Sequence, residues 1–116
     1  MAEIAKTSEI RFKIGMSANN VPVDIKWMAT DSVNQELRDC KSIMISIWDI
    51  HQKETLKIDL WTNDKTTDEM HSQYFQTLLS MTDSYAKATG NPHAVEEMKK
   101  FAQQLAKKTA DWEDGK

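Results

Sequence analysis

The residues of this chain that could do chemistry are its histidines, its single cysteine and its carboxylates. His51, His71 and His93 could bind a metal ion or transfer a proton, but they are far apart in the sequence. No two of them have the short spacing of a zinc motif, and neither HExxH nor CxxC occurs. The first lies in a predicted strand turn and the others in the first turns of predicted helices. These positions favour solvated surface histidines, so no metal site is predicted.

Nucleophilic or general acid–base catalysis would have to use Cys40 or a pair of carboxylates. A reactive thiol needs a base or a helix N-terminus beside it, and the neighbours of Cys40 carry opposite charges with no such signature. Asp49, Glu54 and Asp59 lie in or beside a predicted hairpin, where solubility and protection of a strand edge explain them. With only three glycines there is no phosphate-binding loop. We therefore predict no catalytic residue, no cofactor and no enzyme.

Length, charge and cysteine count narrow the class of protein. A chain of 116 residues predicts one domain, 1–116. The net charge is −3 with both signs interspersed, which argues against a nucleic-acid partner. A single cysteine excludes an internal disulfide and is typical of a reducing compartment. The amino terminus lacks the apolar stretch of a signal peptide, and no apolar run is long enough for membrane insertion. The predicted location is the cytoplasm.

Four segments alternate between apolar and polar residues, which predicts β-strands at 8–14, 23–29, 42–49 and 54–62. The segment 30–41 lacks a clean period and is predicted to be a loop with at most one helical turn. The side chains predicted to face the core are those of Ile10, Phe12, Ile14, Val23, Ile25, Trp27, Ile43, Ile45, Ile47, Leu56, Ile58 and Leu60.

The connection between the last two strands is constrained by parity. Their apolar rows share a face only if an even number of residues separates the strands. A four-residue loop at 50–53 meets this condition and pairs Ile47 with Leu56.

The period changes to that of a helix after residue 65. Thr66 and Glu69 form a predicted capping box, and Gly90 is predicted to end the first helix in the left-handed conformation. Asn91 and Pro92 then start a second helix as its N-cap and first residue.

The order of elements, β-β-β-β-α-α, is typical of an α+β fold. We expect a four-stranded antiparallel sheet at 8–62, covered on one face by two C-terminal helices that form a hairpin at 66–112.

The face of the sheet away from the helices is the predicted partner-binding surface. Its residues would be Trp48, Trp61, Met44 and Met28, and large apolar groups clustered on an exposed face usually mark a binding site. Alternatively, the 30–41 segment or the amino-terminal tail folds over this face and buries it. The second helix carries an apolar stripe that ends in Trp112. This stripe could pack against the core or pair with a second copy of the chain.

Several segments resemble the gliding-motility protein GldC family of Bacteroidetes. They are KETLKIDLWT (53–62), DEMHSQYFQTLLSM (68–81), ATG (88–90), SEIRFKI (8–14), VPVDIKWMATD (21–31) and SIWD (46–49). The similarity extends from about residue 8 to 105 and departs from the family at Thr66-Thr67, where a proline-containing pair is expected. The resemblance implies a small cytosolic protein associated with gliding and with the type IX secretion machinery. It implies no enzymatic activity and no catalytic residues.

Three functional hypotheses follow. The first is a non-enzymatic accessory protein that binds a protein partner of the gliding or secretion machinery through the outer sheet face. The second is a SecB-like chaperone or a homo-oligomerising module, by analogy of element order alone. The third and weakest is an enzyme or small-molecule binder, which would need polar groups that the inward rows lack.

Overall fold

The computed structural model of the chain describes residues 2–32 and 35–115. Its elements are β1 (Ile10–Met16), β2 (Pro22–Ala29), β3 (Arg38–Cys40), β4 (Ser42–Trp48), β5 (Thr55–Trp61), α1 (Thr67–Thr89) and α2 (Pro92–Asp114). The strands belong to a compact unit that ends at Lys65, and the helices to a second compact unit that begins at Thr66. The predicted α+β class is confirmed, and the boundary falls between the predicted sheet and the predicted helical hairpin.

The first sheet contains β1, β2 and β3 in that order. β1 and β2 pair antiparallel, with Phe12 opposite Trp27 and Ile14 opposite Ile25, so the alternating apolar residues share one face as predicted. The pairing continues past the ends of the strands, because the Thr30 backbone N–H donates to the Glu9 carbonyl at 3.0 Å.

The predicted loop at 30–41 is wrong in part, because β3 lies within it. Arg38 pairs with Trp27 and Cys40 with Ile25 on the edge of β2. A strand of three residues, two of them charged, has no alternation to reveal it; it forms because the edge of β2 offers unpaired backbone groups. Residues 33 and 34 of that predicted loop lie outside the described residues.

The prediction of one four-stranded sheet is also wrong, since β4 and β5 form a separate two-stranded sheet. Backbone pairing changes partner at Lys41: Cys40 pairs with β2, whereas Ser42 pairs with Trp61 of β5. Thr62 occupies this junction, and its N–H donates to the Lys41 carbonyl at 2.8 Å. The Thr62 side chain is only 4% exposed. One stretch of chain therefore contributes to both sheets.

The β4–β5 hairpin has the predicted register. Ile47 lies opposite Leu56, which confirms the parity argument. The turn closes with a hydrogen bond from the Asp49 N–H to the Glu54 carbonyl at 2.9 Å, and Lys53 adopts a positive φ of 56°. The loop is therefore four residues long, as expected.

The core of the first unit is small. Ile25 and Ile43 are buried, at 1% and 8% exposed. Ile47, Leu56 and Ile58 share the predicted face but remain 44–48% exposed, so their predicted full burial is not found. A two-stranded sheet has too few neighbouring side chains to enclose its own apolar row. That α1 and α2 cover this face stays a prediction.

Three of the four helix ends are those predicted from the sequence, whereas α2 continues to Asp114, past the predicted end at 112. The Thr66–Glu69 capping box is present, and Gly90 caps α1 with φ 65° and ψ 20°. The Asn91 side chain accepts from the first backbone N–H groups of α2, with Pro92 following it. Within the described chain, no helix is apolar enough over a sufficient length to cross a bilayer.

Candidate functional site

The structure brings three of the four predicted partner-binding residues onto one face of the β4–β5 hairpin. Trp48, Met44 and Trp61 point to the same side, because residues of equal parity share a face and Trp61 lies opposite Ser42. The indoles of Trp48 and Trp61 are 64% and 52% exposed, whereas Met44 is half-buried. Met28 is also half-buried, but it lies on β2 in the other sheet.

The two exposed indoles lie at opposite ends of this face. Trp61 lies at the level of Ser42, and Trp48 is at the far end of β4, so about 20 Å separates them at the usual rise per strand residue. Lys57 and Asp59 lie between them and form an ion pair at 3.3 Å. The face therefore offers two exposed indoles, and its centre holds the half-buried Met44 together with the Lys57–Asp59 ion pair.

The reverse face of the same hairpin is also partly open. It carries Ile47, Leu56 and Ile58, each nearly half exposed. The hairpin thus presents large apolar side chains on both faces, which is unusual for a strand pair in a self-contained domain.

Two of the three carboxylates considered for catalysis have structural partners. The Asp49 carboxylate accepts the backbone N–H groups of His51 and Gln52, at 3.1 and 2.6 Å, and so shapes the hairpin turn. Asp59 is the partner of Lys57. Each of these two carboxylates is occupied by a role in the local fold.

Cys40 lies half-buried on β3, beside a polar cleft of about 560 Å³ in the first unit. Burial raises the pKa of the Cys40 thiol, which keeps it protonated near neutral pH and disfavours a nucleophilic role. In the same cleft the Lys26 ammonium contacts Asp39 at 2.5 Å and Asp24 at 3.7 Å. The hydrogen bond to Asp39, with the nearby Asp24 charge, raises the pKa of Lys26, so the lysine remains a cation here.

The helical unit contains an apolar groove of about 490 Å³ between α1 and α2. Its lining includes Met70, Tyr74 and Phe75 from α1 and Leu105 from α2. One of its rim residues is His71, which is only partly exposed, unlike His51 and His93.

A polar cluster that sequence reasoning missed lies at this end of the helical hairpin. Potential ligand atoms of Asp68, His71 and Glu113 all lie within 4.8 Å of one another. The signal available in the sequence was the tight Gly90–Asn91 connection between two helices of equal length, 23 residues each. Such a connection brings the start of the first helix beside the end of the second.

Together these features define a small α+β protein with two candidate binding surfaces. One is the apolar β4–β5 hairpin in the first unit, and the other is the groove of the helical hairpin in the second unit. The model of the family described as gliding motility-associated protein GldC-like matches residues 22–111. The chain belongs to this family, which confirms the predicted resemblance. No curated protein and no solved structure matches the chain.

Proposed function

We propose that this protein is a non-enzymatic accessory factor of gliding motility that acts by binding a protein partner through the β4–β5 hairpin. Membership of the GldC-like family supports the association with gliding. The observation that carries the binding role is the exposure of Trp48 and Trp61 on one face of that hairpin. The partner is a component of the gliding or type IX secretion machinery, and binding takes place in the cytoplasm.

The distance between the two indoles limits the shape of the surface that the partner presents. A standard interface covers about 800 Å² per partner, roughly 30 Å across, so both indoles fit within one interface. Tryptophan is among the residues that contribute most to binding free energy when a partner encloses it. Because Lys57 and Asp59 lie between the indoles, the partner needs two apolar pockets separated by polar groups.

A double substitution tests this proposal. Replacing Trp48 and Trp61 with serine should leave the circular dichroism spectrum and protein abundance unchanged, since both side chains are more than half exposed. Gliding should be lost in cells that carry only this variant. The matched control is Phe101→Ser on α2, which removes an aromatic ring of similar exposure, 56%, from the other unit.

The partner contact can be measured directly in the same cells. A photo-crosslinking residue at position 48 should form a specific adduct, whereas the same residue at position 83, on an exposed part of α1, should not. Normal gliding by the double variant would exclude this surface. Unfolding of the variant would show that the two indoles are core residues, and the proposal would fail.

The second candidate function is a SecB-like chaperone or a self-assembling module. The observation that favours it is the reverse face of the hairpin, where Ile47, Leu56 and Ile58 remain partly exposed. A second copy or an unfolded client would bury this row. Sedimentation velocity over a concentration series tests for self-association. Self-association that Ile58→Lys abolishes would support the self-assembling module. A protein that stays monomeric at all concentrations and does not bind an unfolded client would be neither a self-assembling module nor a chaperone.

A further inference from the structure

We propose that Asp68, His71 and Glu113 bind a divalent transition-metal ion of the zinc type. The three residues lie at the open end of the helical hairpin, where the first turns of α1 meet the last turn of α2.

The distances are close to those of a metal site. His71 Nδ1 and Glu113 Oε1 are 3.4 Å apart. Two ligands of a tetrahedral zinc ion, each bonded at about 2.0–2.1 Å, are separated by roughly 3.4 Å. All three ligand atoms lie within 4.8 Å of one another, and Asp68 is exposed and able to rotate toward the ion.

The types of the ligands point to a transition metal. Imidazole nitrogen suits zinc, iron, nickel and copper, whereas magnesium and calcium are held by oxygen ligands. One imidazole with two carboxylates therefore favours a borderline ion over an alkaline-earth ion. Three protein ligands also leave a fourth position for water or for a group from another molecule.

A second observation concerns the Oε1 atom of Glu113. It is enclosed by protein and accepts no hydrogen bond from the described residues, although His71 Nδ1 lies 3.4 Å away. A carboxylate oxygen that is removed from water without a hydrogen bond is unfavourable, so such an atom usually contacts an ion or ordered water. A cation between Glu113 and His71 would satisfy it.

The surroundings of His71 hold its ring in place. The indole of Trp112 packs edge-to-face against the imidazole, with 5.8 Å between ring centres and an interplanar angle of 73°. This packing restricts the imidazole, whereas the usual orienting contact of a metal-binding histidine is a hydrogen bond from its other ring nitrogen. The indole of Trp112 would also be an intrinsic fluorophore beside the ion.

The site has a consequence for stability. The connection at Gly90–Asn91 joins the two helices at one end, and the ion would join them at the other end. An ion that binds only the folded helical unit raises its melting temperature as the free ion concentration rises.

The test uses the full chain without an affinity tag, stripped of metal and titrated with ZnCl2 by calorimetry. We expect one ion per chain, a higher melting temperature, and a weakening of affinity by tenfold or more in His71→Ala. The matched control is His93→Ala, which removes an exposed histidine from the first turn of α2 and should leave zinc affinity unchanged.

Glu113→Gln, which preserves shape, provides a second variant if His71→Ala fails to fold. Titration with CoCl2 should quench fluorescence in the wild-type protein and quench it less in Trp112→Phe. Equal zinc affinity in the His71 and His93 variants, or no binding below millimolar zinc, would overturn the proposal and leave an ion pair between His71 and Glu113.

Discussion

The guanidinium group of Arg38 lies over the indole of Trp27, with 5.7 Å between Cζ and the ring centre. The two residues are also direct cross-strand partners in the β2–β3 ladder. On the other side of β2, Phe12 lies opposite Trp27 in the β1–β2 ladder. The three side chains thus form a row across the sheet and connect the short strand β3 to the rest of the first unit.

Removing the Arg38 cation from this row should lower the stability of the first unit. We expect Arg38→Ala to lower the free energy of unfolding by about 0.5–1 kcal/mol, the usual strength of an exposed cation–π contact. Urea denaturation monitored by tryptophan fluorescence measures it. Arg11→Ala is the control, since Arg11 forms an exposed ion pair with Glu9, and its effect should stay within about 0.5 kcal/mol. Equal losses in the two variants would show that the contact with Trp27 contributes nothing.

The small core should make the first unit sensitive at one position of β2. Ile25 is 1% exposed, so Ile25→Ala should cost about 2–5 kcal/mol through lost burial and the cavity it leaves. Val23→Ala changes the same strand and face at a residue that is 48% exposed, and it should cost much less. Chemical denaturation of both variants provides the measurement. A similar cost at the two positions would contradict the placement of the core.

The glycine at the end of α1 should resist substitution for a backbone reason. Gly90 has a φ of 65°, and a Cβ atom there would meet nothing within 4 Å. Gly90→Ala should therefore destabilise the helical unit by about 1–2 kcal/mol through strain alone. Asparagine, which tolerates this conformation, should cost less. Gly115→Ala is the control because Gly115 has a φ of −82°; thermal unfolding followed by circular dichroism should show little change for it.

The contact between the amino-terminal segment and Asp31 should depend on pH. The Ser8 hydroxyl donates to the Asp31 carboxylate at 2.7 Å, and the Lys6 ammonium lies 3.0 Å from it. The Ser8 hydrogen bond, followed by that from Lys6, lowers the pKa of Asp31. The contact is therefore fully formed above the ordinary pKa of 3.8 and is lost as pH falls through the lowered value.

Nuclear magnetic resonance can follow this release. The amide signals of Lys6 and Ser8 should shift as acid is added, and Asp31→Asn should show the shifted positions at neutral pH. Since these groups are exposed, high salt should weaken the Lys6 contribution. Signals that stay constant down to pH 2 would contradict the contact.

The features that were predicted correctly depend on neighbours in the sequence. The pairing of Ile47 with Leu56 follows from the alternation of two strands and an even turn between them. The Thr66–Glu69 box and the Gly90 cap each involve residues within one helical turn. Local backbone geometry determines such features, whatever the rest of the chain does.

The errors in the prediction concern partners far apart in the sequence. Nothing in the residues Arg38–Cys40 indicates a strand, because β3 forms only where the edge of β2 is available. The change of partner at Lys41 is equally hidden, since no proline or glycine marks it. The meeting of His71 with Glu113 required the two helices to fold back on each other.

The sequence by itself determined four of the five strands, both helices with three of their four ends, and which strand side chains share a face, since these depend on periodicity and on caps a few residues long. Tertiary structure alone decided that the strands form two sheets, that β3 pairs with the edge of β2, and that His71 meets Glu113. The physical reason is that an open strand edge or helix face accepts any complementary partner, and which partner it receives is decided by the packing of the whole chain.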